Sequence, residues 1–145
     1  MTTIFFDMDG TIADLYGVDG WLDYLKASDP FPYTNAKPLV NLNSLARTLN
    51  RLQKSGYRIG VISWLSKNGN AEYNKAVTTA KEKWLAHHLA SVQFDEINIV
   101  SYGTCKATFT KSNNDILFDD EERNRNEWNG KAYDVNDIIS ILKSL

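Results

Sequence analysis

Four short runs of this sequence are apolar with little interruption, and each ends in polar or turn-forming residues. They cover residues 3–7, 58–63, 96–101 and 115–119, and Lys131-Ala132-Tyr133-Asp134 makes a shorter fifth. A strand with one wet face alternates apolar and polar residues, whereas a strand covered on both faces does not. The segments between these runs carry helical periodicity. Leu42, Leu45, Leu49 and Leu52 recur at three- and four-residue steps, with Gly56 placed to end that helix. Tyr73, Val77, Ala80, Trp84 and Leu89 mark one face of a long helix over about 70–90, and Val135, Ile138, Ile139 and Leu142 mark a last one. Continuous strands alternating with helices predict an α/β fold: a parallel sheet with helices on both faces.

One segment departs from this rhythm. A strand-to-helix link takes about 2–6 residues, yet Leu15 to Val40 separate the first strand from the first well-marked helix. The segment holds a short helical stretch, Trp21-Leu22-Asp23-Tyr24-Leu25, and then Pro30, Pro32 and Pro38. It reads as a small cap-like insertion at about 15–40 within a single domain, 1–145. A net charge of -2 with dispersed basic residues argues against stable nucleic-acid binding. The single cysteine, Cys105, excludes an internal disulfide framework and suits a reducing compartment. The apolar run at 4–6 is too short for a signal peptide, and no run approaches the ~20 residues that span a membrane. The expectation is a cytoplasmic protein with a small-molecule substrate.

Ligands of an open parallel sheet bind beyond the carboxyl ends of its strands. The first strand ends in Asp7, with Asp9 just beyond; the second ends in Ser63; the third leads to a loop holding Lys106; the fourth ends in Asp119-Asp120. Four carboxylates brought together repel and raise one another's pKa unless a cation holds them. Oxygen ligands suit Mg²⁺, which takes one or two carboxylates together with waters and phosphate oxygens. Lys106 would neutralise a bound phosphate or a neighbouring carboxylate. Ser63 and the following backbone N–H groups would donate to phosphate oxygens. Each residue alone has a plainer explanation. Asp-Gly-Thr is turn chemistry, Ser63 a helix cap, Lys106 a solvated side chain. Asp119-Asp120 suits a helix N-terminus followed by Glu121-Glu122.

Taken together, Asp7-Met8-Asp9-Gly10-Thr11, Ser63, Lys106 and Asp119-Asp120 resemble the four motifs of the haloacid dehalogenase (HAD) superfamily, in order. The resemblance implies a Rossmann-like sheet of strand order 5-4-1-2-3. It implies Asp7 as the nucleophile forming an aspartyl-phosphate and Asp9 as the general acid, then base. It places Thr11, Ser63, Trp64 and Lys106 at the phosphate. It gives Mg²⁺ as cofactor, bound by the Asp7 side chain, the Asp9 backbone carbonyl and one of Asp119 and Asp120. Asp120 is favoured as the direct ligand, with Asp119 supporting. An acid at position 9 favours phosphate esters over carbon–halogen bonds, and the small insertion argues against the mutases. The implied reaction is phosphomonoester hydrolysis. The alternatives are a non-catalytic metal- or phosphate-binding protein of the same fold, which intact Asp7, Asp9 and Lys106 argue against, and phosphotransfer to an acceptor other than water.

Aromatic residues bear on the substrate. The run from Asp7 to Tyr16 is similar to the small deoxyribonucleotidase branch, a branch with a larger helical cap. Tyr16 and Trp21 are candidate substrate-binding residues, and Trp64 follows Ser63 directly. An indole at the rim of a phosphate site stacks on a nucleobase, so a nucleoside monophosphate is the first substrate to consider. The alternative is that these rings, with Tyr24, pack the insertion onto the core. Cys105 has no evident base partner and reads as a passive small residue. His87 and His88, adjacent on a helix, diverge and share no metal.

Overall fold

A computed structural model describes all 145 residues, Met1–Leu145. Its strands are β1 (Thr3–Phe6), β2 (Ala13–Asp14), β3 (Lys37–Pro38), β4 (Arg58–Trp64), β5 (Glu96–Val100), β6 (Ile116–Phe118) and β7 (Lys131–Tyr133). Its α-helices are α1 (Trp21–Lys26), α2 (Phe31–Asn35), α3 (Leu42–Lys54), α4 (Ala71–His88), α5 (Glu122–Glu127) and α6 (Ile138–Ser144).

β1 is buried at every position and sits at the centre of a five-stranded sheet of order β5-β4-β1-β6-β7. All four pairings are parallel. Numbered among themselves, these five strands read 5-4-1-2-3 from β7 to β5. The expectation of five strands omits two. β2 and β3 form a separate antiparallel pair, with Ala13 opposite Pro38 and Asp14 opposite Lys37. Two-residue strands carry no periodicity, and a proline reads as a breaker although it is tolerated at a strand edge.

Successive side chains of β1 face opposite sides of the sheet. Ile4 and Phe6 join Leu45, Leu49 and Leu52 of α3, Trp84 and Leu85 of α4, and Ile138 and Leu142 of α6 in one large core. Phe5 joins Ile62, Leu117 and Trp128 on the other side. The second face is thinly covered, by α5, Trp128 and a single 3-10 turn at Lys106–Phe109. Residues 101–115 cross from β5 over β4 and β1 to β6, and this 3-10 turn is the one helical element they form. Aromatic contacts close the centre. Phe6 stacks on Phe118 at 5.3 Å, and Phe5 meets Trp128 edge-on at 5.6 Å.

The helix ends have local causes. Asn41 Oδ1 accepts from Ser44 N at 3.0 Å to start α3, and Asn70 Oδ1 accepts from Tyr73 N at 2.8 Å to start α4. Gly56, at φ +100°, follows α3 as expected. The last helical segment opens with a 3-10 turn at Val135–Asp137 before α6. The insertion lies down on α4: Leu15 and Tyr33 pack on Tyr73, Val77 and Ala80, and Trp84 Nε1 donates to the Ala36 carbonyl at 2.8 Å. No helix is long and apolar enough to cross a membrane.

The amino end of the sheet hangs on Asp115. It is fully buried and accepts from the backbone N–H groups of Thr3 (2.9 Å), Lys111 (2.8 Å) and Ser112 (3.1 Å). Asp115→Ala strands these donors at a cost of about 1 kcal/mol or more each. It should lower unfolding free energy by about 3 kcal/mol, seen as a lower urea midpoint at unchanged slope.

Candidate active site

The carboxyl ends of β1 and β6 are stitched together. Asp7 N donates to the Phe118 carbonyl at 2.9 Å, which continues the ladder one residue past β1. The chain then turns: the Met8 carbonyl accepts from the N–H groups of Thr11, Ile12 and Ala13, each at 3.0 Å. Gly10 makes the turn possible. Its φ is +81°, and a Cβ there would lie 2.5 Å from Asp120 Oδ2. Thr11 Oγ1 donates to Asp7 Oδ2 at 2.8 Å and accepts from Asp120 N at 3.2 Å, so one hydroxyl ties the two acidic loops.

Lys106 heads the 3-10 turn after β5 and is buried between two acids. Its Nζ donates to Asp7 Oδ1 at 2.9 Å and to Asp119 Oδ2 at 2.7 Å. Burial works against its charge, but Asp7 and Asp119 outweigh burial and hold its pKa above the ordinary lysine value. Asp119 accepts two further hydrogen bonds, from Asn124 Nδ2 at 3.1 Å and from Glu121 N at 2.9 Å. The last of these supports the start of α5, as the Asp-Asp-Glu-Glu run implied.

A second buried lysine was not among the candidates. Lys81, in the middle of α4, donates to Asp9 Oδ2 at 2.9 Å, Ser63 Oγ at 2.7 Å and the Trp64 carbonyl at 2.7 Å. Its Nζ also lies 5.2 Å from the centre of the Tyr33 ring. The sequence does hold a signal for it. Lys81 falls within the stripe Val77, Ala80, Trp84 and Leu85, where a charged residue is out of place.

The acids and Lys106 border one cavity of about 230 Å³, and Lys81 lies behind it. Asp7, Asp9, Lys106, Asp119 and Asp120 form its floor, and Tyr16, Trp21, Tyr33, Trp64 and Tyr102 form an aromatic wall. Tyr16 meets Trp21 edge-on at 5.0 Å, and Trp64 tilts against Tyr102 at 5.1 Å. Trp64 is fixed by an Nε1 bond to the Thr104 carbonyl at 2.9 Å. Lys67 and Asn124 also reach the cavity. Thr11 and Ser63 do not line it. Both are fully buried behind the acids, with their hydroxyls bonded to Asp7 and to Lys81. Tyr24 stacks on Phe31 instead, at 4.7 Å. Cys105 is exposed and outside the cavity. Tyr16, Trp21 and Trp64 thus line the cavity, and Tyr24 packs within the insertion instead.

The electrostatics ask for a cation. Carboxylate oxygens of Asp7, Asp119 and Asp120 lie within 4.8 Å of one another. Lys106 neutralises the first two, and Asp120 makes no ion pair. Burial, then the nearby Asp7, push the Asp120 carboxyl up to about 8, and burial followed by Asp7 pushes Asp119 up to about 6. Asp9 is also raised, burial outweighing the pull of Lys81. Burial and the adjacent acids raise the phenols of Tyr16 and Tyr33 as well. A hard divalent cation at these oxygens suits the donor set and relieves the repulsion.

Among solved structures, the chain is similar to the D,D-heptose 1,7-bisphosphate phosphatase from Burkholderia thailandensis, with a TM-score of 0.53 and 18% sequence identity. The match covers 87% of this chain and 70% of that one. It establishes a shared fold. No family model matches the sequence, and no curated protein matches it significantly.

The raised carboxyls set a pH dependence. Between about 4 and about 8 the folded protein holds protons on Asp119 and Asp120 that the unfolded chain has released, so stability falls as pH rises through these values. In EDTA the thermal midpoint should drop between pH 5 and pH 8. Asp120→Asn should flatten the upper part of that drop. Excess Mg²⁺ should raise the midpoint most at pH 8, because the metal binds the deprotonated acids. A midpoint that is flat with pH in EDTA and unmoved by Mg²⁺ would contradict the acidic cluster as a metal site.

Proposed function

We propose that the chain is a Mg²⁺-dependent phosphomonoester hydrolase of the HAD type, working through an aspartyl-phosphate. The observation that carries the reading is Asp7. It is a nearly buried carboxylate with a lysine on one oxygen and a hydroxyl on the other, facing a cavity it shares with Asp9 and Asp120. The phosphatase activity in the name of the structure sharing this fold supports it as well.

The roles follow from position. The Asp7 carboxylate, its plane fixed by Lys106 and Thr11, attacks phosphorus and becomes the acyl phosphate. Asp9, on the same cavity, gives a proton to the departing ester oxygen and later takes one from the attacking water. Lys106 offsets negative charge on the Asp7 side of the transferring group. Asp7, Asp120 and the Asp9 backbone carbonyl would hold Mg²⁺, which supplies charge neutralisation at the phosphoryl oxygens. Asp119 already accepts three hydrogen bonds, which favours Asp120 as the direct ligand. Trp64 lines the phosphate side of the cavity, while Ser63 braces the site from behind through Lys81.

The substrate we assign is a small phosphate ester, with a nucleoside monophosphate foremost, because the wall above the acids is aromatic. A cavity of about 230 Å³ is small, below the ~300–1,000 Å³ of drug-sized ligand sites. It takes the phosphoryl group and the near part of its ester.

Purified protein with Mg²⁺ should hydrolyse 4-nitrophenyl phosphate, and Asp7→Asn should reduce kcat by about 10³-fold or more. No turnover by metal-loaded protein across a panel of aryl, nucleotide and sugar phosphates would sink the hydrolase reading. Product that forms only with an added alcohol acceptor would replace it with phosphotransfer. Trp21→Ala or Trp64→Ala should raise KM for nucleoside monophosphates about tenfold, and less for glycerol phosphate. Equal effects on both would remove the stacking role.

A further inference from the structure

We infer that Lys81 is a positioning residue for the general acid: it aims the Asp9 carboxyl at the ester oxygen that leaves. The inference rests on the hydrolase reading above and concerns a residue outside the four sequence motifs.

The argument begins with cost. Lys81 is about 1% exposed and sits in an apolar helix face, packed between Val77, Ala80, Trp84 and Leu85. A buried ion pair adds little net stability compared with an apolar side chain of similar size. The ammonium therefore needs a reason beyond packing. Its donors are fully used: three protons meet three oxygens, on Asp9, Ser63 and Trp64, at 2.7–2.9 Å. No proton remains for a phosphate, so Lys81 does not bind substrate. Two of the three acceptors belong to β4, the strand next to β1. The lysine thus fastens Asp9 to the rigid sheet.

The effect on Asp9 is directional. The loop after β1 is a turn, and the Asp9 side chain has no hydrogen bond other than that from Lys81. That bond occupies Oδ2. Oδ1 accepts no hydrogen bond, and Asp9 lines the cavity, so the transferable proton is assigned to Oδ1. When the P–O bond breaks, its electron pair stays on the ester oxygen, and the proton on Asp9 moves to that oxygen. In the second half-reaction the same carboxylate takes a proton from water. Lys81 keeps its own protons throughout. The Tyr33 ring, 5.2 Å from Nζ, closes the remaining side from the insertion.

A group that positions the acid matters most when the leaving oxygen is basic. Phenyl and 4-nitrophenyl phosphate have nearly the same shape but different leaving-group basicity, so they form the test pair. Lys81→Met should lower kcat/KM for phenyl phosphate about 10²-fold, within the range of general acid catalysis. For 4-nitrophenyl phosphate the loss should be at least tenfold smaller. The ratio of the two is independent of the fraction of folded enzyme. Lys81→Gln, smaller and polar, is read beside it in case the methionine variant folds poorly. Asp9→Asn should shift the ratio in the same direction, and adding Lys81→Met to it should shift it no further. Equal losses on both substrates in both Lys81 variants would overturn the positioning role and leave the hydrolase reading standing. Wild-type protein inactive on both esters would overturn both.

Discussion

Parallel strands deliver their ends to one edge of a sheet, and in this chain those ends are acids. Asp7 and Asp119 close adjacent strands, with Asp9 and Asp120 just beyond, and the backbone bond from Asp7 to Phe118 leaves them no room to separate. Like charges this close to a buried sheet raise one another's pKa. Much of the remaining architecture answers that constraint. The short crossover after β5 brings Lys106 between Asp7 and Asp119. The long helix after β4 brings Lys81 to Asp9. Asp120 alone has no ion pair, and the raised pKa of its carboxyl marks where a further positive charge belongs.

The two lysines divide the acids between them. Lys106 is shared by two carboxylates, of which Asp7 also holds the Thr11 hydroxyl and Asp119 a backbone and an amide donor, so that half is a closed network. Lys81 is shared by one carboxylate, one hydroxyl and one carbonyl. Asp7 belongs to the first half and Asp9 to the second, so the proposed nucleophile and the proposed proton carrier are held by different lysines. Thr11 connects the first half to Asp120, its hydroxyl donating to Asp7 and accepting from Asp120 N.

The main strands and the acids were legible in the sequence because a continuous apolar run ended by Asp is a local pattern. Lys106 was legible only by resemblance to motifs, since a lysine in a polar loop carries no local signal. Lys81 was missed for the opposite reason. Reading α4 for its apolar stripe counts hydrophobic positions and passes over the charged residue among them. Its partners, Asp9 and Ser63, lie far away along the chain, so only the tertiary fold shows that the lysine is satisfied. The inward hydroxyls of Thr11 and Ser63 follow the same rule. A polar residue at a strand end can face a ligand or brace the groups that do, and spacing does not separate the two. The pair β2–β3 escaped because two-residue strands have no period to detect.

The way the insertion is seated has a consequence for how this protein changes over generations. α4 carries the lysine that holds Asp9, and the same helix is the floor on which Leu15, Tyr33 and the Ala36 carbonyl rest. The segment that shapes the mouth of the cavity is thus bonded to the segment that orients the acid. It is not an exchangeable module. A graft that brings a different wall will also shift α4, and with it the lysine that holds the Asp9 side chain. The wall of this cavity is easier to alter by replacing single rings, such as Trp21 or Tyr102, than by swapping residues 15–40 as a block.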